Sequence, residues 1–541
     1  MASATPQPNP NVAKAGVIMV ASLLLSRVLG LVRDAIIAGK FGSDGFTDAY
    51  RLAFAVPDLL FFLIAGGALS SAFIPVFSEY LHTEREREAW HIFSVVTTFM
   101  SILVIAFIVA AWIFAYPLSQ VVAPGKEAEW LPYIVQMSRI LLPAQFAFFI
   151  GGIMFGTLYA NQRFSVPGLG PNIYNIGIIF GALVISSVVT PGVVGMSWGA
   201  LIGAFLGNIV IPYLAIRSIG VRFKPSLDLK HPGVKKVFRL MLPVVLGLSL
   251  PGVYALIMGA FGSYYEDGVV TYLEFSNKLM QAPLGVFGQS LAIAVFPALT
   301  QFFAQNRMDM YRSQLSSTMR TVIYLTVPIT VLMFVMAPQI VGAMYEHGKF
   351  TAADSAATAE CLRYFAIGIV AWCLHPILMR GFFAMQSTVT PIILGTISTA
   401  VFVGLIFALR GLGLEYRALP LAGSISAITL VILLSVAVAP KIGGLDLKGI
   451  GLTLGKSVIA SIPLGLLGVA VAFTQFGQHI AGQKLQTLVV VGGVFLLGAW
   501  AYYFATRALK MQESDFVKRA MNRRAKSKEP VSDVEAMGSE D

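Results

Sequence analysis

Ser26-Arg27-Val28-Leu29-Gly30-Leu31-Val32-Arg33-Asp34-Ala35 places two arginines and an aspartate inside an apolar run. From Val12 to Leu25 the chain carries a single charge, Lys14, and Ala35-Ile36-Ile37-Ala38 resumes the apolar pattern. A run of this kind reads as a membrane helix, because about 20 apolar residues span the hydrocarbon of a bilayer. A charge at the bilayer centre costs at least about 2.5 kcal/mol on insertion scales, so it faces protein or a water-filled cavity. One stretch therefore defines both a spanning helix and a place where charge is kept for a reason.

The rest of the chain follows the same pattern. Of 541 residues, 57% are hydrophobic and only 12% charged, with mean hydropathy +0.77; soluble domains carry roughly 25% charged residues. The reading is an all-α polytopic membrane protein with fourteen transmembrane helices. They cover 12–41, 47–79, 88–116, 128–160, 166–190, 195–218, 234–262, 268–304, 310–345, 353–386, 390–410, 418–440, 448–474 and 484–509. The alternating strands of a β-barrel are not seen. The second, eighth and ninth segments are long enough to tilt or to extend beyond the hydrocarbon.

The formal net charge of +11 would suggest nucleic acid in a soluble protein. Here the excess lies in loops and tail. Arg217, Arg222, Lys224, Lys230, Lys235, Lys236 and Arg239 surround the connection after span six, and Lys518, Arg519, Arg523, Arg524, Lys526 and Lys528 lie in the tail. Opposite connections are cation-poor or acidic, as in Tyr264-Tyr265-Glu266-Asp267. The positive-inside rule then places both termini in the cytoplasm. Met1 to Asn11 lacks a basic n-region and reads as a short tail rather than a signal peptide. Cys361 and Cys373 show no disulfide or metal spacing and read as packing residues.

The sequence repeats internally. Tyr159-Ala160-Asn161-Gln162-Arg163-Phe164-Ser165-Val166-Pro167 ends span four, and Phe383-Ala384-Met385-Gln386-Ser387-Thr388-Val389-Thr390-Pro391 ends span ten, 224 residues later. Gly199 and Gly423 keep that offset, and Pro75 and Pro297 are 222 apart. Six spans per repeat is an even number, so both halves enter the membrane in the same sense. Parallel repeats of this kind, related by a pseudo-two-fold axis along the membrane normal, build transporters with a site between two lobes. The organisation is an N-terminal tail (1–11), an N-lobe of helices 1–6 (12–219), a basic linker (220–233), a C-lobe of helices 7–12 (234–440), helices 13–14 (441–509) and a basic, disordered tail (510–541). Pro57, Gly66-Gly67, Pro143 and Pro376 break spans and permit bending. Gly199-x-x-x-Gly203-x-x-x-Gly207 reads as a close helix contact.

On an ideal helix Arg27 and Asp34 share a face, while Arg33 lies about 120° from Arg27. Gly30 between them would allow a bend, and Asp34 is within reach of either arginine. Asp48 and Arg51, three residues apart, are neighbours on one helix, with Asp58 seven further on. They read equally as partners of the first-span arginines or as an ion cluster at the membrane edge. Lys278 on span eight has Glu274 on the adjoining turn and Asn277 beside it. Arg139, Arg163, Arg363 and Arg380 lie near span ends, where snorkelling accounts for most such charges. His375 is open to two readings, a proton carrier or a packed hydrogen-bond donor. No P-loop, His-Glu-x-x-His motif, Cys/His cluster or acidic sodium cage is present, so ATP hydrolysis at a P-loop is excluded and intramembrane catalysis has no candidate machinery.

Ser26-Arg27-Val28-Leu29-Gly30-x-x-Arg33-Asp34-Ala35, followed by Phe41-Gly42, closely resembles the opening of the MurJ (MviN) family of lipid II flippases, in the MOP exporter superfamily. Thr47-Asp48-Ala49, Pro57-x-Leu59-Leu60, Ala72-Phe73-x-Pro75, Asn161-x-Arg163-Phe164-Ser165-x-Pro167 and Tyr345-x-x-Gly348-Lys349-Phe350-Thr351 extend the resemblance over nearly the whole chain. The resemblance implies fourteen helices, a cationic cavity between lobes, substrate-binding roles for Arg27, Arg33, Asp34, Asp48 and Lys278 at a lipid diphosphate, and a lipid-tail groove formed by helices 13–14. The chain departs from the family pattern at Phe61, where arginine is common, at Gly66, where glutamate is common, and at Lys278, where arginine is common. Lysine keeps the charge and loses the bidentate fork.

The expected function is alternating-access translocation of lipid II, or a related polyprenyl-diphosphate lipid, from the cytoplasmic to the outer face of the bacterial inner membrane. Membrane potential would drive it, with no cofactor beyond a counter-ion the sequence does not name. The chain is expected to be a monomer without nucleic-acid partners, placed to meet cell-wall synthesis machinery. The alternatives are export of other lipid-linked oligosaccharides or drugs on the same fold, a membrane scaffold, and an intramembrane enzyme.

Overall fold

The computed structural model describes residues 10–64, 68–126, 128–473 and 484–515. Gly66 and the Phe61 side chain lie outside the described residues, as do the N-terminal residues before Pro10 and the basic tail beyond Asp515. Among the described residues every regular element is helical, apart from one isolated bridge between His347 and Phe350. Helices satisfy their backbone polar groups within one segment, apart from those at their ends, as apolar surroundings demand.

In chain order the first half contains α1 (Pro10–Phe41), α2 (Gly45–Leu52), α3 (Ala55–Ile64), α4 (Ala68–Leu81), α5 (Glu86–Ile113), α6 (Ala115–Val122), α7 (Leu131–Leu141), α8 (Ala144–Ala160), α9 (Leu169–Leu183), α10 (Val194–Phe205) and α11 (Ile211–Arg217). The second half contains α12 (Pro232–Gly262), α13 (Val269–Pro283), α14 (Ser290–Ala304), α15 (Met308–Val335), α16 (Ala337–Tyr345), α17 (Ala352–Ala366), α18 (Ile369–Ala384), α19 (Val389–Gly411) and α20 (Ala418–Val438). Three more follow: α21 (Leu447–Ala460), α22 (Ile462–Phe473) and α23 (Lys484–Ala508). Turns of π-helix at Leu206–Val210 and Leu284–Gln289 join α10 to α11 and α13 to α14.

Ten of the described helical segments are long and apolar enough to cross a membrane, or eleven if α17 and α18, bent by 47°, form one span. Fourteen were expected. The difference falls partly on the first segment, whose described part carries Arg27, Arg33, Asp34 and Lys40. It falls also on the second, where a turn at Ala53–Phe54 separates α2 from α3, and on α12, whose side chains at 242–252 lie outside the described residues.

The helices form two compact units. The first draws on Met1–Ser276, Met344–Cys361 and Thr399–Leu419, and the second on Asn277–Ala343, Leu362–Ser398 and Pro420–Asp541. In the first unit an aromatic core joins α4 to α5. Phe73 stacks on Phe77 with centroids 5.1 Å apart, and Trp90 meets Phe77 edge-on at 5.5 Å. A second cluster gathers Ile37, Tyr50, Met137, Ile178 and Met196 from α1, α2, α7, α9 and α10. The glycine contact expected on span six is present. A Cβ on Gly177 of α9 would lie 2.6 Å from the Gly199 carbonyl of α10, so the backbones touch. Within bilayers such close approach replaces the hydrophobic drive that apolar tails cannot supply. In the second unit α23 is fastened to α15: Tyr502 donates to the Tyr324 carbonyl at 2.8 Å, and Arg320 lies 3.4 Å from both Asp446 and Glu513.

The internal repeat recurs in local backbone geometry. Gln162 and Gln386 both adopt left-handed φ, 56° and 57°, at the offset of 224 residues, and Glu84 and Asn306 do so at 61° and 54°, 222 apart. The break between α5 and α6 at Phe114 is matched 222 residues later by that between α15 and α16 at Met336. Arg139 Nε donates to the Trp112 carbonyl at 3.1 Å, and Arg363 Nε to the Phe334 carbonyl at 3.3 Å. An arginine thus caps the C-terminus of the preceding long helix in each half, satisfying a carbonyl that has no partner within its own helix.

Candidate functional site

The charged face of α1 is the starting point. Arg33 and Asp34, one residue apart, make two close contacts: Nε donates to Asp34 Oδ1 at 3.1 Å, and Nη2 lies 3.0 Å from the same oxygen. Arg33 Nη1 donates to Asn175 Oδ1 on α9 at 3.0 Å. Asn175 in turn donates from Nδ2 to the Ser26 carbonyl at 3.2 Å. The arginine fork is therefore engaged by α1 and α9 together, and its orientation is set by two helices rather than one.

Arg51 of α2 completes the cluster. Its Nη1 lies 2.9 Å from Glu274 Oε1 on α13 and 3.8 Å from Asp34 Oδ1. Its guanidinium sits 4.9 Å from the centre of the Phe275 ring, which stacks on Tyr345 at 4.4 Å. Nε and Nη2 of Arg51 are buried with no hydrogen-bond partner, while the side chain is only 5% exposed. The ring face offsets that deficit, because a desolvated cation over an aromatic ring gains about 2 kcal/mol or more. Arg33, Arg51, Asp34 and Glu274 together balance two positive against two negative charges.

Asp48 occupies a different place. Its carboxylate is wholly buried and accepts from Gly268 N at 3.0 Å, Thr271 N at 2.9 Å, Thr271 Oγ1 at 2.7 Å and Lys126 Nζ at 3.0 Å. Lys126 also reaches Asp267 at 2.6 Å. Asp48 thereby caps the N-terminus of α13, where free N–H groups and the helix dipole favour an anion. The local fold of α2 delivers it there: Asp44 accepts from Thr47 N at 2.9 Å, starting the helix whose first turn holds Asp48.

Of the residues expected at the site, Arg33 and Asp34 are brought together, and Asp34 pairs with Arg33 and Arg51. Arg27 is exposed and makes no ion pair among the described residues. Asp48 meets neither first-span arginine. Lys278 is half-buried on α13, one turn after Glu274, and Glu274 also pairs with Arg51. Asp58 is exposed. Among the other span-end charges, Arg163 donates to Ser218 Oγ at 2.9 Å, and Arg380 lies over Phe296 at 5.2 Å. Cys361 and Cys373 are free and buried. No group of three or more His, Cys, Asp or Glu among the described residues is placed to hold a metal ion. Sequence reasoning missed Lys126 and Asn175. Lys126 sits in a connection read as cation-poor, and Asn175 is an uncharged residue in an apolar helix, so spacing carried no signal for either.

Buried, hydrogen-bonded charges inside an all-helical, multi-span membrane protein mark a polar path or site within the bilayer. The family model described as lipid II flippase MurJ matches residues 37–486, and the chain belongs to that family. A protein of Burkholderia cenocepacia named lipid II flippase MurJ is 29% identical over 403 residues, covering 71% of this chain and 77% of its own. One of Vibrio cholerae serotype O1, named probable lipid II flippase MurJ, is 28% identical over 518 residues, covering 88% and 97%. A solved structure of lipid II flippase MurJ in an inward closed conformation superimposes with TM-score 0.74 at 24% identity, covering 90% of this chain and 99% of that one. An inward-facing multidrug resistance MATE transporter of the MOP superfamily shares the fold at TM-score 0.63 and 14% identity, covering 79% and 98%.

Proposed function

We propose that this chain is a lipid II flippase, moving the lipid-linked peptidoglycan precursor from the cytoplasmic to the outer face of a bacterial inner membrane. The observation that carries the reading is the family match across residues 37–486. The charges of α1 supply chemistry suited to such a cargo. A diphosphate cannot cross hydrocarbon bare, and charge-assisted donors replace its water. Arg27, exposed on α1, and Lys278, on α13, are the first cations to meet it. Arg33 exchanges Asp34 for phosphate as the head group enters, and Asp34 turns to Arg51. Asp48 acts as a positioning residue through α13.

The finer architecture belongs to the same proposal: fourteen spans, two six-helix lobes about an axis along the membrane normal, both termini cytoplasmic, and a groove of helices 13–14 (441–509) for the polyprenyl tail. The backbone features that recur at 222 and 224 residues support the lobes. The protein works as a monomer by alternating access, beside the cell-wall synthesis machinery. With the cell interior negative, two anionic charges crossing the full field gain roughly 4.6 kcal/mol per 100 mV. A counter-ion resets the empty carrier.

The test is complementation of cells depleted of their own lipid II flippase, with lipid II exposure measured at the outer face. Restored exposure is expected. Well-expressed protein that restores neither growth nor exposure would sink the assignment, and restored growth without exposed lipid II would redirect it to another lipid-linked cargo.

A further inference from the structure

In the first unit a cavity of about 620 Å³ opens between the end of α5, the α7–α8 segment and α10. Its lining includes Trp112, Tyr116, Gln136, Arg139, Trp198 and Leu201, and no acidic residue. The volume falls within the roughly 300–1,000 Å³ of small-molecule sites. Among the described residues, Arg139 carries the only charge in that lining. We propose that this cavity binds the phosphodiester head group of an anionic glycerophospholipid, with Arg139 as its anchor.

The geometry of Arg139 is the first argument. Nε donates to the Trp112 carbonyl at 3.1 Å, and the guanidinium lies 4.7 Å from the centre of the Trp112 ring. These two contacts hold the plane of the fork. They leave Nη1 and Nη2 without a partner among the described residues. Two parallel N–H donors on a fixed guanidinium match two oxygens of a phosphate. Helix capping explains Nε alone and leaves the rest of the fork unexplained.

Depth is the second argument. Trp112 lies at the end of a helix of 28 residues that begins at Glu86, hence roughly 40 Å from that end at about 1.5 Å per residue. Trp112, Tyr116 and Trp198 are each between 43% and 49% exposed. Tryptophan and tyrosine gather at the level of lipid head groups, where an amphipathic ring meets both water and hydrocarbon. Leu201, Ile140 and Val135 continue the wall as apolar surface. A free phosphate ion would find one cation, the amide of Gln136 and mostly apolar or aromatic walls, whereas a lipid also covers those walls with its chains. The second half repeats the cap of Arg363 on Phe334, with phenylalanine in place of the ring that Arg139 stacks upon.

The test uses the full chain in nanodiscs. Dibrominated phosphatidylglycerol, doped at a low mole fraction, is expected to quench tryptophan emission more strongly than dibrominated phosphatidylcholine at the same fraction. The excess disappears when Trp112→Phe and Trp198→Phe are combined. By native mass spectrometry Arg139→Gln binds phosphatidylglycerol about ten-fold more weakly than wild type, and Arg139→Lys falls between them. Sodium phosphate in the buffer does not displace the lipid. Equal quenching by the two brominated lipids overturns the proposal, as does Arg139→Gln that binds phosphatidylglycerol like wild type. Displacement by sodium phosphate would assign the cavity to a free anion instead. Should Arg139→Gln fail to fold, the quenching comparison on wild type still decides.

Discussion

Arg51 and Arg33 show two ways of keeping a guanidinium inside apolar helices. Arg51 has two buried nitrogens without hydrogen-bond partners and is held by Glu274, Asp34 and the ring of Phe275. Removing one partner of a buried pair costs about 3–5 kcal/mol, while replacing both with apolar residues of similar volume is often neutral. Arg51→Ala is therefore expected to lower the thermal midpoint of the purified protein sharply, and Arg51→Met with Glu274→Met to recover most of the loss. A double variant as unstable as the single one would show that packing, rather than the ion pair, is at stake. Arg33 uses its whole fork, with two nitrogens toward Asp34 and one toward Asn175. Lysine cannot reproduce that geometry, and each charged hydrogen bond lost costs about 1.5–3 kcal/mol. Arg33→Lys should lower outer-face lipid II exposure well below wild type at equal expression. Full activity would mean that the fork is dispensable, to phosphate and to Asn175 alike.

Among the elements, the α9–α10 contact and the linker before α12 make opposite kinds of demand. A side chain on Gly177 meets backbone at 2.6 Å, which cannot yield as a flexible side chain would. Gly177→Val should cost at least about 1–3 kcal/mol by overpacking, read as loss of monodisperse protein on size exclusion. Gly404 of α19 has nothing within 4 Å, and Gly404→Ala should leave the thermal midpoint unchanged or slightly raised. The linker is held by polar contacts: Lys224 N donates to Ser94 Oγ at 3.1 Å, and His91 Nε2 meets Asp228 Oδ2 at 3.2 Å. The hydrogen bond from His91 holds the Asp228 carboxyl below its ordinary value. A depressed carboxylate stabilises the folded chain above its unfolded pKa of about 3.9 and loses that contribution as pH falls through the lower folded value. His91→Ala should raise the Asp228 midpoint in a carboxyl-resolved NMR titration; an unmoved midpoint would remove His91 as the cause. These elements also mark how far the sequence could be read. The apolar segments, the repeat and the Gly199-Gly203 contact follow from hydropathy and spacing, which act along one helix. The turning of Asp48 toward α13 depends on residues more than 200 positions away, such as Thr271. Within the site, Arg33 and Asp34 were legible because charge in an apolar run is costly wherever it falls. Asn175 and Lys126 were not, since their role comes only from the partner that folding brings to them.

At the scale of the whole molecule, the proposed alternating access requires each end of the path to open in turn, and the bonds gathered around Asp48 are suited to holding one end shut. Four donors converge on that carboxylate, from Gly268, Thr271 and Lys126. Nearby, Lys349 N donates to the Gly39 carbonyl at 2.8 Å, and Tyr272 Oη donates to Asp354 at 2.8 Å. These bonds join α2 to the start of α13, α1 to the segment before α17, and α13 to the first turn of α17, all within the first unit. Opening this end exposes Asp48 to water, which replaces its donors only in part, so the closed state is favoured by the balance between four bonds and hydration. Asp48→Asn keeps the shape and removes the charge. An amide nitrogen then faces the N–H groups of Gly268 and Thr271, or the ammonium of Lys126, and at least one good hydrogen bond becomes a repulsion. Because a conformational equilibrium shifts only by the difference in free energy between its two states, losing interactions made in the closed state alone must populate the open one. The measurement is the labelling rate of Ser43→Cys by a membrane-impermeant thiol reagent. Ser43 lies in the turn between α1 and α2, 3.5 Å from Tyr272, and the native Cys361 and Cys373 are buried and contribute little background. Labelling should be faster in the Asp48→Asn background, by about ten-fold if one charged hydrogen bond, about 1.5–3 kcal/mol, is lost from the closed state only. Unchanged labelling in a folded variant would mean that Asp48 caps α13 in both states, and that the closed end is held by other contacts.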